Sequence, residues 1–174
     1  MKRLKLIFCL LCLCCSLTEA KEVQVDAQKE VDEMTGRLVA SYLEAKVDED
    51  VIAGYATALR SDGSFPDLDY ITVYEGSFYP AGSHLKRLKS MAIAYRKPGN
   101  KYYNSGKLLK QIVAGIDYWY KVRPKSGNWW FGDIGAPQDY MVPLILLKGK
   151  ISDKKLLHYS SYLQDLTGNK GHNG

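Results

Sequence analysis

Apolar residues recur at helical spacing along most of this chain, and glycine and proline break the pattern into short segments. Between Val23 and Lys46 the stripe is Val31, Met34, Leu38 and Tyr42, widened by Val39 and Leu43. A repeat of three to four residues puts these side chains on one face of an α-helix. The same period predicts helices over Glu49–Arg60 (Val51, Ile52, Tyr55, Leu59) and Ser83–Tyr95 (Leu85, Leu88, Met91, Ala92, Tyr95). It predicts another over Tyr102–Val122, with Leu108, Leu109, Ile112, Val113, Ile116 and Trp119 facing in. Two more fit Pro137–Lys148 and Asp153–Leu166, where Pro137 suits a first turn and Pro143 marks a kink. Ser83 and Ser152 are expected N-caps, and Ile151 can staple onto Leu156. Only Tyr70–Tyr74 has strand-like composition, and it is short enough to read as a loop or extended segment.

The chain is therefore expected to be all-α. Amphipathic helices without a sheet must bury their stripes on one another. Consecutive antiparallel hairpins of this kind build α/α solenoids and toroids. No fixed-period repeat accompanies them.

The first twenty residues read as a secretory leader. Lys2, Arg3 and Lys5 precede an apolar stretch from Leu6 to Cys15, too short to span a bilayer, and Thr18-Glu19-Ala20 offers a cleavage site. A lipoprotein is the competing reading, but neither Cys14 nor Cys15 follows a glycine or alanine. Cleavage after Ala20 removes Cys9, Cys12, Cys14 and Cys15, so the mature chain would have no disulfide and no thiolate metal site. Removing twenty of the 174 residues leaves 154, enough for one domain with a core. The net charge of +5 falls to +3 once Lys2, Arg3, Lys5 and Glu19 are gone. A mild positive charge on an exported chain suits an acidic polysaccharide and weighs against nucleic acid. The expected destination is secreted or periplasmic, with no membrane span.

The run Lys125-Ser126-Gly127-Asn128-Trp129-Trp130-Phe131-Gly132-Asp133-Ile134-Gly135-Ala136-Pro137 sets large aromatics among turn formers. Its glycines and proline argue against a regular helix. Composition leaves core packing and a binding platform evenly matched. On an extended loop two neighbouring side chains point opposite ways, so one indole is expected to anchor the loop and the other to face a cleft. An indole stacks on the apolar face of a pyranose, and Asn128 can cap the turn or bond a sugar hydroxyl. Arg123, just upstream, is a candidate for an acidic sugar.

Other candidates read as structural. His84, His158 and His172 have no metal-ligand spacing, and neither a metal nor a cofactor is expected. Asp67, Asp69 and Asp133 fall in loops, where aspartate more often forms turns than acts as one of a catalytic pair. Lys86, Arg87 and Lys89 read as a solvated helix face that could also meet an anionic glycan. No nucleophile elbow or phosphate-cradling loop is present.

Asn128-Trp129-Trp130 followed by Ile134-Gly135-Ala136-Pro137, with Tyr118-Trp119 and Pro124 upstream, resembles the N-terminal α/α toroid of polysaccharide lyase family 8. The segment Asp62-Gly63-Ser64-Phe65-Pro66-Asp67-Leu68-Asp69-Tyr70, with His84-Leu85 and Arg87-Leu88, is also similar to the early part of that domain. The resemblance implies antiparallel hairpins forming part of an incomplete toroid. It implies an enzyme that cleaves uronic-acid polysaccharides of hyaluronan or chondroitin type by β-elimination. In that chemistry an asparagine neutralises the uronate carboxylate, and a tyrosine and a histidine move the protons.

The carry-over matches Trp129 and Trp130 to the family's aromatic patch, which stacks on the sugar rings; Asn128 and Arg123 join them as substrate-binding candidates on their own chemistry. The carry-over assigns Asn173, in Gly171-His172-Asn173, to carboxylate neutralisation, with Asn169 as a competing register. Gly174 stands where the family's pattern favours arginine. The family's catalytic histidine, tyrosine and arginine fall beyond Gly174. Residues 21–174 are therefore expected to be a truncated N-terminal portion, inactive alone and completed by a downstream chain or domain. A non-catalytic carbohydrate-binding helical module is the alternative. A toroid-fold hydrolase would need two positioned carboxylates, which the sequence does not place.

Overall fold

A computed structural model describes residues 28–167. The leader and its cysteines lie outside the described residues, as do Asn169, His172 and Asn173. Contacts divide the chain into two units that meet between Ser41 and Tyr42. Helix α1 covers 28–43. Its apolar stripe forms as the spacing predicts, but Val31, Met34 and Leu38 are exposed and not buried. The period fixes which face of a helix is apolar and not what covers it.

The second unit is built from α2 (Glu49–Ala58), α3 (Gly82–Arg96), α4 (Gly106–Val122), a π-helical turn (Phe131–Gly135), α5 (Ala136–Leu146) and α6 (Asp153–Thr167). The described residues contain no strand, and 71–75 is irregular. Helix α3 packs against α2, α4 and α5, and α6 packs against α4 and α5. Asp48 starts α2, accepting from the amides of Asp50 and Val51. Ser105 starts α4, accepting from the Leu108 amide, so 102–105 form a turn and not the expected first helical turn. Helix α3 begins at Gly82 with Ala81 in the cap position and no side-chain cap, so Ser83 is not its N-cap. Ser152 receives a long bond of 3.4 Å from the Lys155 amide at the start of α6.

The core follows the predicted stripes where helices meet on several sides. Leu85, Leu88, Met91, Ala92 and Tyr95 of α3 are buried, as are Leu108, Ile112, Ile116 and Trp119 of α4. Leu109 and Val113 flank that stripe and are half-buried. On α2 only Ile52 is buried, and Val51 faces solvent.

The loop between α2 and α3 is tied down by polar groups. Asp62 accepts from both the amide and the hydroxyl of Ser64. The Thr72 side chain and amide, the Ile71 amide and the Tyr74 hydroxyl all donate to Asp69, which holds its carboxyl well below the usual range. Asp67 grips Arg87 through two bonds of 2.8 and 2.6 Å, and that guanidinium lies 4.7 Å from the Phe65 ring. Asp67 and Asp69 are thus bound into the fold as turn and ion-pair residues.

Candidate functional site

The aromatic run is helical, not an extended loop. Arg123 ends α4 in the left-handed conformation, at φ 47°, and Pro124 follows. Asn128 then restarts the helix. Its Oδ1 accepts from the Trp130 amide at 2.9 Å, satisfying a donor that the first helical turn leaves free. Its Nδ2 donates to the Gly76 carbonyl at 2.7 Å, and its own amide donates to Ser126 Oγ. Asn128 is thus both the cap and a tether to a distant loop. One Nδ2 hydrogen and one Oδ1 lone pair stay available beyond these bonds.

Trp129 and Trp130 begin a helical turn that runs through the π-turn into α5. The Ala136 amide donates to the Phe131 carbonyl, the wider spacing that defines a π-turn. Pro137 has no amide hydrogen to offer the ladder at this point, which favours an irregular turn just before it.

Neither indole is in the core, contrary to the expectation that one would anchor there. Trp129 is 67% exposed and Trp130 45%. Neighbours on a helix are about 100° apart, so the two rings splay without either being driven inward. The buried indole is that of Trp119.

Trp130 rests on the π-turn. Its ring covers Gly135 so closely that a Cβ there would stand 2.8 Å from Cζ3. It meets Phe131 edge-on at 5.2 Å. Phe131 in turn lies 5.7 Å from Tyr79, whose hydroxyl donates to the Pro124 carbonyl. Trp130, Phe131 and Gly135 together form one side of a cleft that Tyr79, Lys86, Gln138 and Asp139 also line.

Charge around the cleft is mostly paired. Lys89 bonds Asp139 at 2.8 Å, and Arg87 is committed to Asp67, so the helix face Lys86-Arg87-Lys89 is not uniformly solvated. Lys86 is exposed at the cleft. Arg123 stands elsewhere: its guanidinium lies over Tyr120 at 5.0 Å and Tyr162 at 5.3 Å, and Nε donates to the Tyr120 carbonyl. The structure sets Asn128, Trp129 and Trp130 side by side on one turn, but of the three only Trp130 lines the cleft, and Arg123 does not line it either.

His84 is fully buried between α3 and α4. His158 is exposed and packs on Tyr120 at 4.3 Å. Among the described residues no cluster of His, Cys, Asp or Glu could hold a metal ion, and no helix is long and apolar enough to cross a membrane.

The segment that walls the site has no helical or strand periodicity to mark it. Residues 74–79 lie along the tryptophan turn, joined by the Tyr74 carbonyl to the Gly127 amide at 3.0 Å and by the Asn128 tether. The available signal was aromatic density, with Tyr70, Tyr74, Phe78 and Tyr79 crowded into ten residues of loop.

Comparison with known proteins agrees with this architecture. The chain is 35% identical over 102 residues to Chondroitinase-AC of Pedobacter heparinus, covering 58% of this chain and 14% of that protein. It is 30% identical over 112 residues to Hyaluronate lyase HylB of Enterococcus faecalis, covering 58% and 11%. A solved structure of chondroitinase AC lyase superposes with a TM-score of 0.66 at 28% identity, covering 78% of this chain and 20% of the other. The chain thus spans about a tenth to a seventh of the length of the curated relatives it matches. Its helical hairpins are part of an α/α toroid. Residues 38–173 match the N-terminal alpha-helical domain of polysaccharide lyase family 8, and the chain belongs to that family.

Proposed function

We propose that this chain is the substrate-gripping N-terminal portion of an exported polysaccharide lyase. Its substrates would be uronic-acid polysaccharides of hyaluronan or chondroitin type, cleaved by β-elimination once downstream residues complete the site. The observation that carries this reading is the pair of exposed indoles, Trp129 and Trp130, held on a capped and braced turn in a domain of this family. A ring fixed before the ligand arrives, as Trp130 is by Phe131 and Gly135, loses little freedom on stacking against a sugar. Lys86 at the cleft, and Arg123 on its tyrosine seat, would draw in a polyanion.

In the same proposal Asn173 neutralises the uronate carboxylate, with Asn169 as the other register. The leader is removed after Ala20, the protein acts outside the cytoplasm, and the chain alone binds without cleaving. The test is direct. The purified chain is incubated with hyaluronan and with chondroitin sulfate, and both binding and absorbance in the unsaturated-uronide band are followed. Binding that Trp129→Ala weakens, with no rise in absorbance, is the expected result. A rise in absorbance overturns the claim of inactivity. Absence of binding, with a folded protein, overturns the claim of grip.

A further inference from the structure

The turn before Tyr79 holds an aromatic ring that the fold leaves in solvent. Phe78 is 62% exposed. Gly76, at φ +70°, folds the segment back so that Phe78 meets Tyr74 edge-on at 4.9 Å and 88°. Tyr74 is itself fixed, because its hydroxyl donates to Asp69 at 2.9 Å. The turn is then pinned to the tryptophan turn at both ends. On one side the Gly127 amide reaches the Tyr74 carbonyl and Asn128 reaches Gly76. On the other, Tyr79 packs on Phe131.

Leaving a phenylalanine exposed forgoes the burial of its apolar area, yet here the ring is seated against Tyr74 on a turn fixed at both ends. A solvent-facing ring seated on a turn that is pinned beside the tryptophans suits stacking against a sugar, because part of its ordering cost is already met. We propose that Phe78 forms a second stacking subsite for the polysaccharide, separate from the tryptophan pair and reached only by a chain long enough to touch both. This inference rests on the polysaccharide reading above. Tyr74 acts as a positioning residue that keeps the Phe78 ring upright.

The test uses the purified chain and size-defined chondroitin oligosaccharides, with binding measured by calorimetry for the parent, Phe78→Ala, Phe78→Trp and Trp129→Ala. Phe78→Ala should weaken a decasaccharide by about 2- to 10-fold and leave a tetrasaccharide unchanged. Phe78→Trp should retain the long-chain affinity, and Trp129→Ala should weaken both lengths. Because Phe78 is exposed, its variants should unfold at the parent Tm, which separates lost contact from lost fold. If Phe78→Ala matches the parent at every length while Trp129→Ala does not, the second subsite is refuted and the polysaccharide reading stands. Equal losses at both lengths refute the separate subsite as well. If Trp129→Ala also has no effect, the polysaccharide reading fails and the inference fails with it.

Discussion

The Tyr70 hydroxyl stands 3.0 Å from Nδ1 of His84 and links the loop before α3 to the interior of the domain. The hydroxyl also accepts from the Phe65 amide at 2.9 Å, and His84 Nε2 lies 2.9 Å from the Gly115 carbonyl on α4. A carbonyl can only accept, so Nε2 carries the hydrogen and Nδ1 accepts from Tyr70. The relay is complete only with a neutral imidazole. A second proton on Nδ1 would leave the Tyr70 hydroxyl hydrogen without its acceptor.

This arrangement predicts an acid-sensitive fold. Burial is the main cause that lowers the His84 pKa to about 4 from its ordinary 6.5, with the neighbouring Arg87 charge adding to it and the Gly115 bond opposing it. The unfolded chain therefore binds a proton that the folded chain refuses, and stability falls as pH drops from about 6.5 to about 4. The loss should approach about 3 kcal/mol. Asp62, Asp67 and Asp69, held below the ordinary carboxylate value of 3.8, add their losses only at lower pH. Urea unfolding at several pH values should show the slope for the parent and a flatter profile for His84→Leu. The variant should also be less stable at neutral pH by about 1–3 kcal/mol, because it strands the partners of the ring. A parent whose stability is level over this window would contradict the relay.

Two glycines should respond oppositely to alanine. Gly63 sits at φ +89°, and a Cβ there would stand 2.1 Å from the Ala114 carbonyl oxygen of α4. Backbone strain and a clash with backbone add, so Gly63→Ala should cost about 3 kcal/mol or more. Gly54 lies inside α2 with nothing within 4 Å of its Cβ position. Gly54→Ala should stabilise the helix by about 0.5–1 kcal/mol. Thermal melts of the two variants decide the matter, and similar Tm shifts would speak against the close approach at Gly63.

Gly135→Ala should act on the site more than on the fold. The new methyl would press on the far edge of the Trp130 ring, a side chain already 45% exposed and able to move away. The melting temperature should change little, while near-ultraviolet circular dichroism and glycan affinity should both change as the indole leaves its seat. Unaltered spectra and affinity would mean that Gly135 does not set the ring's position.

Asn128 carries two separable bonds. Asn128→Ala loses the cap to Trp130 and the tether to Gly76, and should cost about 1–2 kcal/mol. Asn128→Asp keeps an acceptor for the Trp130 amide but sets a carboxylate oxygen against the Gly76 carbonyl. Hydrogen exchange should therefore speed up in 74–79 for both variants and at the start of the tryptophan turn only for alanine. Matching exchange patterns in the two variants would show that cap and tether are not independent.

Helical periodicity is enough to place the helices and their buried faces wherever a helix has neighbours on several sides. Leu85, Leu88, Met91, Leu108, Ile112 and Ile116 fall inside because the 3.6-residue period, a local property, sets which side chains share a face. The sequence also carried the family signature in Asn128-Trp129-Trp130 and Ile134-Gly135-Ala136-Pro137. What covers each face, and what stands beside the tryptophans, follows from packing between distant segments. The stripe of α1 is as regular as that of α3, yet Val31, Met34 and Leu38 are exposed. The indoles ride a helical turn because Asn128 restarts the helix and Pro137 shapes its next step. The wall of the site comes from Gly76, 52 residues away from Asn128, through a hydrogen bond that no local periodicity encodes. Local spacing governs dihedral angles and faces, but a contact across half a hundred residues exists only once the helices between have packed.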